Sequence, residues 1–261
     1  MKRAEKAIIK KDIRGITSNR RLFSALWIVP LALTVILPSI FVCAAHFAPD
    51  DPDVLALLEL LPGVANTESV ELAIAGIIFN YILPAFFLMI PIMTASVMAA
   101  SAFVGEKEKH TLETLLYCPL SVKEIFRAKV LASFLLSMLV SLVSFAAMLT
   151  VLELEAVFLM GSPLLPGGGW VIVLFLLSPA VSLIAVTLIV RNSARAQSVE
   201  ESQQSAVFLI IPVILLVVGQ FAGVMILNVW ILLGLSIVCA LLAWILLQRA
   251  VKRFTYEMLL K

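Results

Sequence analysis

The chain has 261 residues, of which 62% are hydrophobic and only 14% are charged, and its mean hydropathy is +1.10. Soluble domains carry roughly 25% charged residues, so this composition excludes an ordinary water-soluble domain. The formal net charge of +2 is small and gives no reason to expect a nucleic-acid partner.

Residues 1–21 are predicted to contain an amphipathic helix on the membrane surface. Two stripes follow helical spacing, one of isoleucine and one of basic residues: Ile9, Ile13 and Ile16, and Lys6, Lys10 and Arg14. A basic amphipathic helix of this kind can rest against anionic lipid headgroups. The alternative is a topology signal whose periodicity is incidental.

Six blocks without Asp, Glu, Lys or Arg follow, and each is long enough to cross a membrane. They cover residues 22–47, 73–104, 130–152, 170–190, 206–227 and 229–247. A helix crosses a hydrocarbon core of roughly 30 Å with about 20 apolar residues, and these continuous runs lack the alternation of barrel strands. The sequence therefore predicts an all-α polytopic membrane protein with one six-span domain, residues 22–261.

Local signals modify this outline at three places. Pro84 and Pro91 lie inside the long second block, so we expect its helix to be kinked. Ser121 and Glu124 have the spacing of a capping box that starts the helix of the third span. Only Asn228 separates the last two blocks, which leaves open two full spans or a re-entrant pair.

The basic residues predict the orientation of the chain. All 19 Lys and Arg fall in the segments that would be inside if the amino terminus is cytoplasmic, namely 1–21, 105–129, 191–205 and 248–261. The outer segments, 48–72 and 153–169, contain none and are acidic. Since Lys and Arg are enriched in cytoplasmic loops, we predict a multi-pass protein of the cytoplasmic (inner) cell membrane with both termini inside.

The first inner loop has the most informative sequence. Residues 111–117 could form about two helical turns with Leu112, Leu115 and Leu116 on one face, and Pro119 disfavours their continuation. This leucine face could dock into a groove on a partner protein. It could equally pack against the inner surface of the bundle itself.

Nine residues in and around this loop form a pattern that can be compared with known protein families. The pattern consists of Gly105, Glu106, Thr111, Leu112, Glu113, Leu115, Leu116, Pro119 and Ser121. It resembles the loop after the second span in ABC-2-type transporter permeases, especially their sodium-exporter-like and antibiotic-resistance-like branch. The resemblance implies that these residues form the coupling helix that contacts an ATPase, and that residues 1–21 form the elbow helix. It also implies a second cytoplasmic contact through Ser198, Glu201, Gln203 and Gln204.

The resemblance implies that this chain is the membrane half of an ATP-driven exporter. Such a transporter has two permeases, identical or homologous, and two copies of an ATPase subunit. This chain has no G-x-x-x-x-G-K-[ST] sequence for the usual phosphate-binding loop, so we expect a separate ATPase to hold ATP and Mg²⁺. We expect the permease itself to need no cofactor and to catalyse no reaction. The expected cargo is amphipathic or hydrophobic, such as a peptide antibiotic, a lipid-like molecule or a drug, and sodium is the alternative.

Polar residues within the spans suggest a pathway. Ser133, Ser137, Ser141 and Ser144 share one face of the third span, and Asn80 lies in the second. They could line a weakly polar pathway, or the serines could allow close helix packing.

A secondary carrier and an intramembrane enzyme are the competing classes. Carriers usually show intramembrane ionisable residues or interrupted repeats. An enzyme would need a motif such as H-E-x-x-H or G-x-S-x-G. The sequence shows no such enzyme motif and no clear internal repeat.

Overall fold

A computed structural model describes residues 3–47, 70–108, 111, 120–193, 196, 198–204, 206–221 and 228–253. These residues form helices joined by turns, and no strand occurs among them. Six helical stretches within this part are long and apolar enough to cross a membrane: Leu22–Ala44, Glu71–Glu108, Val122–Met160, Gly169–Ser193, Val199–Gln220 and Val229–Lys252. The predicted all-α, six-span architecture is confirmed.

The chain begins with two consecutive helices, Arg3–Ser18 and Arg20–Phe47, the second of which is the first span. They meet at Asn19, whose side-chain oxygen accepts a hydrogen bond from the Leu22 N–H at 3.4 Å. An asparagine in this position caps the start of a helix, so the junction separates the two helices without a long linker.

The amino-terminal helix, Arg3–Ser18, is held against the bundle by its isoleucines. Ile8 and Ile9 are buried with Ile125 of the third span, and Ile16 is buried with Met98 of the second. Its basic stripe, Lys6, Lys10 and Arg14, is exposed. The isoleucine stripe therefore packs against protein, a contact that the sequence did not predict.

The second span is interrupted before each of its prolines. It comprises the helix Val70–Ile77, a π-helical segment Ile78–Ile82, and the helices Leu83–Phe87 and Met89–Glu108. Pro84 and Pro91 each lack the N–H that continues a helical hydrogen-bond ladder. The π segment ends two residues before Pro84, and the turn at Leu88, whose N–H bonds to the Ala85 carbonyl at 3.2 Å, precedes Pro91.

The fourth span is also interrupted by a π-helical segment before a proline. It comprises Gly169–Ile172, a second π-helical segment Val173–Leu177, and Ser178–Ser193. This π segment also ends two residues before a proline, Pro179. Short π segments inside α-helices are often found at functional sites.

The third span, Val122–Met160, is longer than the predicted block 130–152. The predicted capping box is present: the Ser121 hydroxyl accepts from the Glu124 N–H at 3.3 Å, and Glu124 accepts from the Ser121 N–H at 2.9 Å. The helix ends at Gly161, which has a φ of 71°. Charged residues at both ends of the block do not end the helix, so the absence of charge underestimates its length.

The last two blocks form separate helices, Val207–Phe221 and Val229–Arg253. The short helix Val199–Gln204 precedes the fifth span and extends its helical stretch. The last two spans are long enough for a crossing each, so their lengths do not require a re-entrant pair. The core lies around the second span. Of the apolar stretch of this span 72% is buried, whereas the corresponding share of the sixth span is 17%.

Candidate functional site

The predicted coupling region lies at the end of the bundle where the second span stops at Glu108 and the third begins at Val122. We call this the loop end. Four residues of the family pattern are described there: Gly105, Glu106, Thr111 and Ser121. The other five lie outside the described residues: Leu112, Glu113, Leu115, Leu116 and Pro119.

Glu106 is buried in the last turns of the second span. The Lys11 ammonium of the amino-terminal helix donates a hydrogen bond to its Oε1, and the Lys129 Nζ of the third span lies 2.9 Å from its Oε2. The Glu106 carboxylate therefore joins the amino-terminal helix to two membrane spans.

Lys129 is the most enclosed charge of this group, with only 2% of its side chain exposed. Its Nζ donates to the Ala102 carbonyl at 2.6 Å and lies 3.6 Å from Asp12 Oδ2. The same Nζ lies 5.6 Å from the centre of the Phe103 ring. A buried ammonium is costly unless it is paired and hydrogen-bonded, and these contacts provide both.

Lys11, Asp12, Glu106 and Lys129 together form what we call the ionic cluster. It contains two cationic and two acidic side chains, so it is formally neutral when all are ionised. Burial raises the pKa of the Asp12 carboxyl; the Lys129 charge acts in the opposite direction, and the Glu106 charge raises the pKa further. The surroundings of Asp12 thus oppose the charge of its carboxylate.

The second predicted contact region lies beside this cluster. Ser198 caps the short helix Val199–Gln204, because its hydroxyl accepts from the Glu201 N–H at 3.2 Å. A Cβ added to Gly105 would lie 3.6 Å from the Val199 side chain, so this helix packs directly on the end of the second span. Glu201 and Gln204 are exposed, and Gln203 is half-buried.

The serine face of the third span lies inside the protein. Ser133, Ser137, Ser141 and Ser144 are all buried. Ser137 Oγ lies 2.7 Å from Ser182 Oγ of the fourth span, and Ser141 donates to the Ser137 carbonyl at 2.8 Å. In this conformation Ser137 forms a direct helix–helix contact between the third and fourth spans.

Asn80 belongs to a different region, at the opposite end of the bundle where the fourth span begins. Its Nδ2 donates to the Gly76 carbonyl at 3.1 Å, and its Oδ1 accepts from the Gly167 N–H at 2.6 Å. A Cβ on Gly167 would come within 2.9 Å of this oxygen. Glycine at position 167 therefore permits the close approach of the two segments.

The π segment Ile78–Ile82 connects three spans at this opposite end. The Leu83 N–H bonds to the Ile78 carbonyl, and Pro84 has no N–H, so the Phe79 carbonyl has no helical donor. Trp170 Nε1 of the fourth span donates to it at 3.2 Å. Gln220 Nε2 of the fifth span donates to the Tyr81 carbonyl at 2.5 Å.

Sequence reasoning missed Asp12 and the pairing of Lys129. Asp12 lies four residues from Ile8 and four from Ile16, so it shares their buried face, and this register was a readable signal. Lys129 directly precedes the charge-free block 130–152 and therefore looked like the last residue of the loop. The partner of each charge is far away in sequence and could not be inferred from local spacing.

Comparison with known proteins supports the family resemblance. A family model described as ABC-2 family transporter protein matches residues 66–246, which is more than half of the chain. The chain belongs to the ABC-2 transporter family. Searches of curated proteins and of solved structures found no match.

The residues that match the family model cover the second to fifth spans and most of the sixth. It includes Glu106 and Lys129, whereas Lys11 and Asp12 of the amino-terminal helix lie outside it. This ABC-2 protein is therefore a multi-pass membrane permease component of a transporter. Its ionic cluster links the family-matched region to the helix that precedes it.

Proposed function

We propose that this ABC-2 permease is the membrane half of an ATP-driven exporter, and that its ionic cluster anchors the loop that receives force from the ATPase. The supporting observation is the position of Glu106. Its backbone carbonyl accepts from the Thr111 N–H at 3.0 Å, at the start of the loop. Its carboxylate is bound by Lys11 and Lys129.

This arrangement gives the loop a rigid attachment. A displacement of the loop at Thr111 acts on the last turn of the second span, and through Glu106 on the amino-terminal helix and the third span. Paired charges in a low-dielectric site interact more strongly than exposed pairs do. The short helix Val199–Gln204 packs on the same turn through Val199, so a partner at this end would meet both predicted contact regions.

The proposed partners follow from the family and from the sequence. Two copies of a separate ATPase subunit hold ATP and Mg²⁺, and a second permease, identical or homologous, completes the transporter. The loop end lies on the cytoplasmic side of the inner cell membrane, because it belongs to the set of segments that contains all the Lys and Arg of the chain. The apolar spans favour an amphipathic or hydrophobic cargo, and sodium export is the subordinate form of the proposal.

Co-purification of the tagged chain from its native host tests the partnership. We expect a stoichiometric ATPase subunit, identified by mass spectrometry, and ATP hydrolysis by the complex but not by the purified chain alone. Hydrolysis by the chain without a partner would contradict the proposal. So would vesicle transport driven by an ion gradient in the absence of ATP.

Leu115→Asp tests the docking face of the loop. We expect this charge to weaken ATPase binding or to uncouple hydrolysis from transport, because a leucine face docks by apolar contact. The matched control is Leu115→Met, which keeps the face apolar and should retain coupling. Normal ATPase binding and normal transport in the Asp variant would exclude a docking role for the leucine face.

Asp51→Cys tests the orientation in a variant whose native cysteines, Cys43, Cys118 and Cys239, are replaced by serine. We expect an impermeant thiol reagent to label Cys at this position in intact cells, because segment 48–72 has acids but no basic residue. Labelling that requires a permeabilised membrane would reverse the proposed topology.

A further inference from the structure

A groove of about 640 Å³ opens on the side of the bundle between the third, fourth and sixth spans. The third and sixth spans both pack against the fourth but make only a few contacts with each other, so an open furrow remains between them. Apolar side chains form most of its wall, including Val130, Phe134, Leu183, Leu247 and Val251.

The groove carries charge at one end only. Arg127 lies at its loop end on the third span, and Lys252 lies at the same end on the sixth. Both side chains are exposed. Neither forms an ion pair with another described residue, and no acidic side chain is among those described as lining the groove.

The chemistry changes along the length of the groove. From Arg127 the third span runs inward through Val130 to Phe134, and from Lys252 the sixth span runs inward through Leu247 to Trp244. At 1.5 Å per residue these apolar walls extend about 10 Å from the basic end. A ligand that fits this order has an anionic head and an apolar tail.

We propose that this groove binds an anionic phospholipid of the surrounding bilayer, with the phosphate between Arg127 and Lys252 and an acyl chain along the apolar wall. Basic pockets between membrane helices bind anionic headgroups in this way, and long basic side chains reach the interface from helix ends. A zwitterionic headgroup fits less well because the described lining offers no carboxylate for its cationic part. The site is separate from the ATPase contacts and does not depend on the identity of the cargo.

Trp244 provides a reporter because it lines the groove and is exposed. The full-length chain is reconstituted in two sets of phosphatidylcholine vesicles. One set contains brominated phosphatidylglycerol and the other contains brominated phosphatidylcholine with the same acyl chains. The bromine atoms quench tryptophan on contact. The difference between the wild type and Trp244→Phe isolates the signal of Trp244. We expect brominated phosphatidylglycerol to quench Trp244 at lower mole fraction than brominated phosphatidylcholine, by roughly five-fold for each basic residue.

Arg127→Gln combined with Lys252→Gln should bring this preference close to unity. The matched control combines Lys123→Gln with Arg249→Gln, which removes two exposed basic residues from the same helices outside the groove. The control should keep the preference of the wild type. Both double variants retain the buried packing of the spans, so both should fold.

Five results would overturn the proposal. Equal quenching of the wild type by both lipids, or an unchanged preference in the groove variant, would exclude an anionic-lipid site. Equal loss in the control would assign the preference to general surface charge. Relief of the quenching by excess inorganic phosphate would assign the site to a free anion. Dissociation of a dimer in the groove variant, with unchanged lipid preference, would assign the groove to a second copy of the chain.

Discussion

The two ends of the second span hold their neighbours by different chemistry. At the loop end, Glu106 pairs with charges from the amino-terminal helix and the third span. About 40 Å away along the span, the π segment Ile78–Ile82 offers neutral carbonyls to Trp170 and Gln220. The first kind of contact depends on opposite charges, whereas the second depends on backbone geometry and close fit.

This difference matters for a transporter that must move. The hydrogen bond from Trp170 to the Phe79 carbonyl, which Pro84 leaves without a helical donor, gives a fixed connection within the membrane, where unsatisfied polar groups are costly. Trp170 adds ring contacts to Phe79, Phe87 and Phe145 at centroid distances of 5.0 to 5.6 Å. We therefore expect the opposite end to resist rearrangement, and the ionic cluster at the loop end to pass displacements of the loop to the amino-terminal helix and the third span.

Lys129→Met is expected to have the largest effect. The substitution leaves Glu106 and Asp12 buried near each other with only Lys11 as a counter-charge, and breaking a buried ion pair costs about 3–5 kcal/mol. We expect a large fall in the thermal unfolding midpoint of the purified protein and loss of coupled ATP hydrolysis in the complex.

Two further variants sharpen this result. Lys123→Met removes an exposed charge from the same helix and should leave the midpoint nearly unchanged. Lys129→Met combined with Glu106→Gln should recover part of the lost stability, because fewer unpaired charges remain. An unfolding midpoint of Lys129→Met equal to that of the wild type would show that the cluster contributes nothing to the fold.

Gly167→Ala tests the opposite end and should have an intermediate effect. The new Cβ would lie 2.9 Å from Asn80 Oδ1, so the amide must move and its hydrogen bond to the backbone N–H is weakened. Leaving a fully buried polar group unsatisfied costs about 1–3 kcal/mol; Asn80 and Gly167 are half-buried, so we expect a fall in the unfolding midpoint that corresponds to the lower end of this range.

Gly168→Ala is the matched control, because a Cβ at that position meets nothing within 4 Å. It should leave the midpoint unchanged. In an Asn80→Ala background, Gly167→Ala should have little additional effect, since the atom it displaces is gone. Equal destabilisation by Gly167→Ala and Gly168→Ala would attribute the effect to backbone flexibility instead.

The spans could be predicted from sequence because the exclusion of charge is visible residue by residue. The long-range contacts could not. Pro84 predicted an interruption of the second span, but the donor for the Phe79 carbonyl comes from Trp170, which is distant in sequence. The family pattern marked Glu106 as part of the coupling region, yet its partners Lys11 and Lys129 follow only from the packing of three helices.

Asp12→Asn should have the smallest effect on stability and the clearest dependence on pH. Because the folded-state pKa of Asp12 lies above its ordinary value of 3.8, the folded protein binds a proton before the unfolded chain does as the pH falls. The free energy of unfolding of the wild type should therefore rise relative to the Asn variant as the pH falls through the raised pKa, and should level off below the ordinary value. Thermal unfolding of both proteins across this pH range measures the difference. A difference that does not vary with pH would mean that Asp12 ionises as freely in the cluster as in water, and that burial at the loop end does not oppose its charge.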